Sequence, residues 1–192
     1  MILSDRYTEA LAFAADAHRE QVRKGTSIPY VSHLLAVSGL VLEHGGDEVE
    51  AIAGLLHDTL EDVGPHLAEP IRERFGSDVL AIVEGCTDAT SQPKPPWRAR
   101  KEAYIAHLRH APPSVLRVSA ADKLHNARCI LADYRAIGPA LWTRFNAPPA
   151  EIGWYYAALA DAFAAAGAPP ALVDGLAQTL DALTDAGAWR GA

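Results

Sequence analysis

The segment His57-Asp58-Thr59-Leu60-Glu61-Asp62 gathers one imidazole and three carboxylates at the end of an otherwise aliphatic helical pattern. Neighbouring residues lie ~100° apart around a helix, so His57 and Asp58 bracket a common point only if it sits off the helix axis. Glu61 falls one turn below His57, and Asp62 one turn below Asp58. Carboxylates this close repel one another unless a cation or a solvated face relieves them. A solvated acidic helix end is the plain structural alternative, and it runs against the helix dipole, which disfavours acidic residues near a C-terminus.

Asp122 stands inside a long apolar helical pattern, on a polar stripe shared with Ser119, His125, Asn126 and Cys129. A carboxylate in a core helix is rarely left unpaired, because burying its charge is expensive. A pairing with Arg117 or Arg128 is the structural alternative to metal ligation. His33, alone, reads as a hydrogen-bonded core histidine. Taken together, His33, His57, Asp58 and Asp122 form two imidazoles and two carboxylates drawn from three helices. That set suits Mn²⁺, Fe²⁺ or Zn²⁺ with positions open to water and substrate, and a cation so held lowers the pKa of its water toward neutrality.

The elements that must position these groups read as helices joined by short Gly/Pro loops, without sustained strand alternation. Ser4 caps a first helix expected over residues 4–22. A polar loop covers residues 23–29, and a second helix residues 30–44, stopped by Gly45-Gly46. Asp47 and Glu50 form a capping box for a third helix that continues through the acidic segment to Gly64-Pro65. Shorter helices are expected at residues 65–75 and 77–89. Residues 91–96, rich in proline, form an exposed loop; with Lys94, Trp97, Arg98 and Arg100 close by, it is a candidate flap over the substrate. Helices then follow at 98–110, 114–137, 149–166 and 170–186, with a short piece at 142–146. The fold class is all-α: a single-domain helical bundle over residues 1–192, whose motif-bearing core spans about 18–128 and carries the C-terminal helices at about 149–186. His18 is expected to be structural, bonding toward the loop before Pro29. Trp154-Tyr155-Tyr156 reads as core aromatics, with the border of a cleft as the alternative.

Composition narrows the function classes. The 192 residues carry 49% hydrophobic and 21% charged residues, a globular and not a disordered profile. A net charge of −7 argues against a nucleic-acid coat, which needs a basic face. The two cysteines, Cys86 and Cys129, make no disulfide framework. No apolar stretch reaches membrane-span length and Met1 to Tyr7 does not read as a signal peptide, so a cytoplasmic protein without membrane association is expected.

His33, His57-Asp58 and Asp122 resemble the H…HD…D ligand pattern of the HD-domain metal-dependent phosphohydrolases. Arg23-Lys24, Pro29-Tyr30 with His33, the 57–62 segment and Ala121-Asp122-Lys123-Leu124-His125-Asn126 resemble, in this order and at these distances, the hydrolase domain of the Rel/Spo (p)ppGpp enzymes, and most of all the stand-alone, Mesh1-like small alarmone hydrolases. The match runs from about His18 to Arg128. The resemblance implies an HD-type helical bundle in which His33, His57, Asp58 and Asp122 bind one Mn²⁺. Glu61 and Asp62 would orient or deprotonate the attacking water and handle the proton at the leaving oxygen. Arg23, Lys24 and Tyr30 would face the nucleotide, and Asn126 would hydrogen-bond it. The implied reaction removes the 3′-pyrophosphate of ppGpp, giving GDP, or GTP from the pentaphosphate.

The residues agree with those roles: Arg23 and Lys24 are cations suited to a polyphosphate, and a carboxylate pair beside a metal supplies acid/base chemistry. Without the neighbouring motifs, Arg23 and Lys24 would read as solvated loop cations. The chain also departs from the family pattern. Its loop, Arg23-Lys24-Gly25-Thr26-Ser27-Ile28-Pro29-Tyr30, is one residue longer than the usual Rel-type loop, and Val63 and Cys129 stand where threonines are common. Reaction type is therefore better specified than the base. The adenine alarmone ppApp, NADPH or nucleoside monophosphates are alternative substrates on the same metal site, and a catalytically silent nucleotide-binding or antitoxin-like protein is the alternative of another class. The apolar C-terminal helices either pair between chains or close the monomer core; the sequence leaves both open.

Overall fold

The computed structural model of the chain describes residues 2–88 and 95–190. The helices are α1 (Asp5–Ala17), α2 (Val31–Glu43), α3 (Glu48–Leu56), α4 (Ala68–Cys86), α5 (Trp97–Leu108), α6 (Pro113–Ile137), α7 (Pro149–Ala166) and α8 (Pro170–Asp185). Among the described residues there is no strand, only an isolated antiparallel bridge between Val22 and Pro29. The all-α reading holds.

α6 is the axis of the bundle. It packs against α2, α3 and α4 on one side and α7 and α8 on the other. Leu116, Leu124, Ala121 and Ala127 on α6 are buried, as are Leu34 and Val37 on α2, Ile52 and Leu55 on α3, and Phe163 on α7. A helix enclosed in this way has no solvated face for Ser119 and Asp122, which are also buried. Their polarity must be satisfied by neighbouring helices.

Local signals set most boundaries. The Ser4 hydroxyl accepts from the Arg6 amide at the start of α1. Asp47 and Glu50 form both arms of the capping box on α3. Gly76, at φ 86°, bends α4 where two helices were expected.

Two expectations fail where side chains compete with helix continuation. α1 stops at Ala17 and does not run to residue 22. His18 Nδ1 pairs with Gln21 Oε1 at 2.6 Å, and the Gln21 carbonyl accepts from the Tyr30 amide at 2.9 Å, which turns the chain into the 23–29 loop. The third helix ends at Leu56 and does not carry the acidic segment as regular α-helix. Thr59–Val63 forms one π-helical turn, closed by the Gly64 amide on the Thr59 carbonyl at 3.1 Å. Gly64 takes φ 144°, a conformation open to glycine. Such widened turns are frequent at functional sites. Here the turn changes the facing of Glu61 and Asp62 from the regular one-turn spacing expected for them.

Of the flap suggested around residues 91–100, residues 91–94 lie outside the described residues. Its described part is the start of α5, where Arg98 pairs with Glu102 and Glu151 and its guanidinium lies over Trp154. Among the described residues no helix is long and apolar enough to cross a membrane.

Candidate metal centre and adjoining cleft

His33 from α2, His57 and Asp58 from the end of α3, and Asp122 from α6 converge on one point. His57 Nε2 lies 3.0 Å from Asp58 Oδ2 and 3.6 Å from Asp122 Oδ1. His33 Nε2 lies 3.2 Å from Asp122 Oδ1 and 3.5 Å from Asp58 Oδ2. His33, His57 and Asp58 offer donor atoms close enough to share an ion, and Asp122 borders both imidazoles. Both Nε2 atoms are buried and make no hydrogen bond. An orphaned buried nitrogen is costly unless something else satisfies it; two of them, flanked by carboxylates, fit a divalent cation. The opposite nitrogen of each ring is held: His57 Nδ1 by the Gly54 carbonyl at 2.9 Å and His33 Nδ1 by His125 Nδ1 at 2.8 Å.

The electrostatics follow from this crowding. Burial works against ionised carboxylates, but His57 beside Asp58 and Lys123 beside Asp122 hold both acids well below the ordinary carboxylate range. Burial likewise opposes a proton on His57, and Asp58 and Asp122 outweigh it, so its pKa lies well above the usual imidazole value. Asp122 pairs with Lys123 Nζ at 2.6 Å and accepts from Asn126 Nδ2 at 2.5 Å. The pairing weighed for it with Arg117 or Arg128 does not occur in that form, because Arg117 is engaged by buried Glu50. The Tyr30 hydroxyl donates to Asp58 Oδ2 at 2.6 Å. Burial and this carboxylate raise the pKa of Tyr30, so it remains a donor.

The acidic pair splits in the tertiary structure. Asp62 lines the cleft beside the four groups and accepts from Gln21 Nε2 at 2.7 Å. Burial first, then the Asp58 charge, raise the Asp62 carboxyl above its ordinary value. Glu61 instead accepts from the Asp88 amide at 3.3 Å. Asp88 is itself held by Arg100 and Lys101, each at 2.6 Å.

A cleft of about 650 Å³ adjoins this centre, sharing with it the groups that touch the four residues: Tyr30, His125, Lys123 and Asn126. Arg23, Lys24, Tyr30 and Asn126 all line it, so every residue expected to contact substrate reaches one cavity. Arg23 Nη2 donates to Asn126 Oδ1 at 2.7 Å, and its guanidinium carbon lies 5.6 Å from the centre of the Tyr30 ring. Asn126 therefore links loop 23–29 to Asp122. Lys24 Nζ reaches the exposed Asn146 Oδ1 at 3.4 Å.

Lys101, Lys123 and Arg144 also line the cleft, and the sequence reading did not place them there. Lys123 lies within a motif already quoted, next to Asp122. Lys101 and Arg144 carry no local signal and reach the cavity only through packing. Tyr155 and Tyr156 satisfy both readings offered for them, being buried in the core and facing the cleft. His18 is structural as expected but bonds differently: its ring stacks on Tyr30, and its nitrogens meet Gln21 Oε1 and Thr59 Oγ1.

This helical frame and its His/Asp centre define a class. The family model described as the HD domain matches residues 10–144, and the chain belongs to that family. The relatives are more particular. The guanosine-3′,5′-bis(diphosphate) 3′-pyrophosphohydrolase MESH1 of Xenopus tropicalis is 38% identical over 138 residues, which is 70% of this chain and 73% of that protein. A probable guanosine-3′,5′-bis(diphosphate) 3′-pyrophosphohydrolase of Synechocystis is 36% identical over 63% of this chain, but the match covers 16% of its own length. The solved structure of a metazoan ortholog of SpoT that hydrolyzes ppGpp superposes with a TM-score of 0.77 at 25% identity, covering 94% of this chain and 97% of the other.

Proposed function

We propose that the protein is a metal-dependent (p)ppGpp 3′-pyrophosphohydrolase, which adds water across the 3′-diphosphate linkage and releases pyrophosphate and GDP, or GTP from the pentaphosphate. The observation that carries this reading is the pair of buried Nε2 atoms, without a hydrogen bond and flanked by Asp58 and Asp122, beside a cleft lined by lysine and arginine. The name of the Xenopus relative and the activity of the SpoT ortholog support the same substrate.

His33, His57, Asp58 and Asp122 would hold one divalent cation, which we assign as Mn²⁺. When bound, it supplies Lewis acidity toward a phosphoryl oxygen and lowers the pKa of water. The chain's own groups do the rest. Asp62, with its raised pKa and its place in the cleft wall, orients the attacking water and accepts its proton. Glu61 is assigned the proton delivered to the leaving oxygen. Lys123 and Lys101 neutralise charge near the scissile phosphates, and Arg23 and Lys24 grip the rest of the polyanion. Tyr30 holds Asp58, and Asn126 holds Asp122 and Arg23 together, so both act through positioning as well as through the cleft wall.

Product analysis by anion-exchange chromatography tests the reading, with ppGpp, ppApp, NADPH and AMP offered in parallel in Mn²⁺ or in EDTA. Metal-dependent pyrophosphate release from ppGpp is expected. Phosphate release from NADPH or AMP alone would keep the metal chemistry and discard the alarmone assignment. Stoichiometric metal with no turnover of any of them would turn the reading toward a binding protein.

A further inference from the structure

The two candidate ligand imidazoles are supported differently. Behind His57 stands a backbone carbonyl, Gly54, which can only accept; Nδ1 of His57 therefore carries a hydrogen, and in the neutral ring a cation needs, the lone pair falls on Nε2. Behind His33 stands another imidazole. The His33 Nδ1 and His125 Nδ1 atoms are 2.8 Å apart, so one must donate and the other accept. If His33 Nε2 is to hold a cation it must be bare, its Nδ1 must carry the hydrogen, and His125 Nδ1 must be the acceptor. His125 then carries its own hydrogen on Nε2, with Cys129 Sγ at 3.7 Å. The rings sit 4.9 Å apart, tilted by 34°.

We infer that His125 is a positioning residue for the metal centre: its Nδ1 accepts from His33 and thereby selects the His33 tautomer whose Nε2 can bind a cation. The inference rests on the metal reading above and adds a residue to which the ligand motif assigns no role. Groups that orient a metal-bound histidine typically change metal affinity by about 10–100-fold when removed. His125 lies outside the four candidate ligands, on the turn of α6 that follows Asp122, and so ties α6 to α2 through a second contact beyond Asp122 itself.

The test is Mn²⁺ titration by calorimetry of EDTA-treated protein, with circular dichroism and thermal melting in EDTA as the check on folding. Wild type is expected to bind about one Mn²⁺ per chain and Asp122→Ala none. His125→Phe keeps a ring but has no acceptor, and its Mn²⁺ affinity is expected to fall about 10–100-fold. His125→Asn places Oδ1 one bond beyond Cγ, where His places Nδ1, and is expected to stay within about threefold of wild type, since the acceptor that orients the ligand is retained. His125→Leu replaces the phenylalanine variant if that one does not fold. Wild-type affinity in a folded His125→Phe protein overturns the inference, as does equal loss in His125→Asn and His125→Phe. Either result leaves the metal centre standing. A wild type that binds no Mn²⁺ removes the metal reading itself, and this inference with it.

Discussion

Behind the inner end of the cleft, His33, His57 and Asp122 are buried on three packed segments, and each is held by a further group: His125, the Gly54 carbonyl, and Lys123 with Asn126. At the outer end, Lys24 is exposed and reaches an equally exposed Asn146 at 3.4 Å, from a loop turned by Gly25 at φ 72°. Between them Arg23, half-buried, is tied to Asn126. The inner end is over-determined, so a change there breaks several contacts in a low-dielectric setting. The outer end is screened by water and held by few contacts, so its sequence can drift without loss of the frame. This accounts for one departure from the family pattern, the longer 23–30 loop, which lies at the outer end; Cys129, beside His125, is a departure nearer the inner end.

The contrast predicts graded effects. Asp122→Ala should be the most severe, removing metal binding and activity together; it also strands Lys123, a loss on the order of 3–5 kcal/mol for a buried pair. Calorimetry with Mn²⁺ and thermal melting read both effects, and an active, metal-loaded Asp122→Ala protein would break the distinction between the two ends. Next in size, Glu61→Gln and Asp62→Asn should keep the metal and lower kcat by roughly 10²–10⁴-fold, the range of a general acid or base. Full activity in either variant would remove that residue from the proton chemistry.

Arg23→Ala should raise KM roughly tenfold or more with the metal retained, since a hydrogen bond to a charged group contributes about 1.5–3 kcal/mol. Steady-state kinetics on ppGpp decides this, and unchanged KM would return Arg23 to an ordinary loop cation. The smallest effect concerns pH. Asp62 has a folded pKa raised above its unfolded value, so ionising it works against folding above that raised pKa and costs nothing once both states are protonated. Asp62→Asn should therefore melt slightly higher than wild type at pH 8 in EDTA, with the difference closing as pH falls through the raised pKa. A difference that widens on acidification would contradict the raised pKa.

Much of the fold could be read without coordinates, because its signals are local. The Asp47/Glu50 capping box, the Gly138 stop after α6 and the prolines that open α6, α7 and α8 each act within a turn of helix. The end of α1 is not legible locally because the competitor to helix is a partner nine residues further on, the Tyr30 amide bonding to the Gln21 carbonyl. The π-turn at Thr59–Val63 is not legible in the sequence because its periodicity departs from the 3.6-residue helical repeat. In the site, ligand types stood out by chemistry, but Lys101 and Arg144 resemble any surface cation in one dimension.

By itself the amino-acid sequence determined the helices, the buried carboxylate that demanded a partner, and a four-group set of imidazoles and carboxylates with the chemistry to hold a divalent cation. Those properties follow from residue type and a 3.6-residue period. Only the tertiary structure decided that α2, α3 and α6 bring the four groups within 3.0–3.6 Å contacts, that Glu61 and Asp62 part company, and that His125 backs His33. Such distances are set by how apolar faces far apart in the chain pack together, and proton positions by whichever group that packing places opposite each nitrogen.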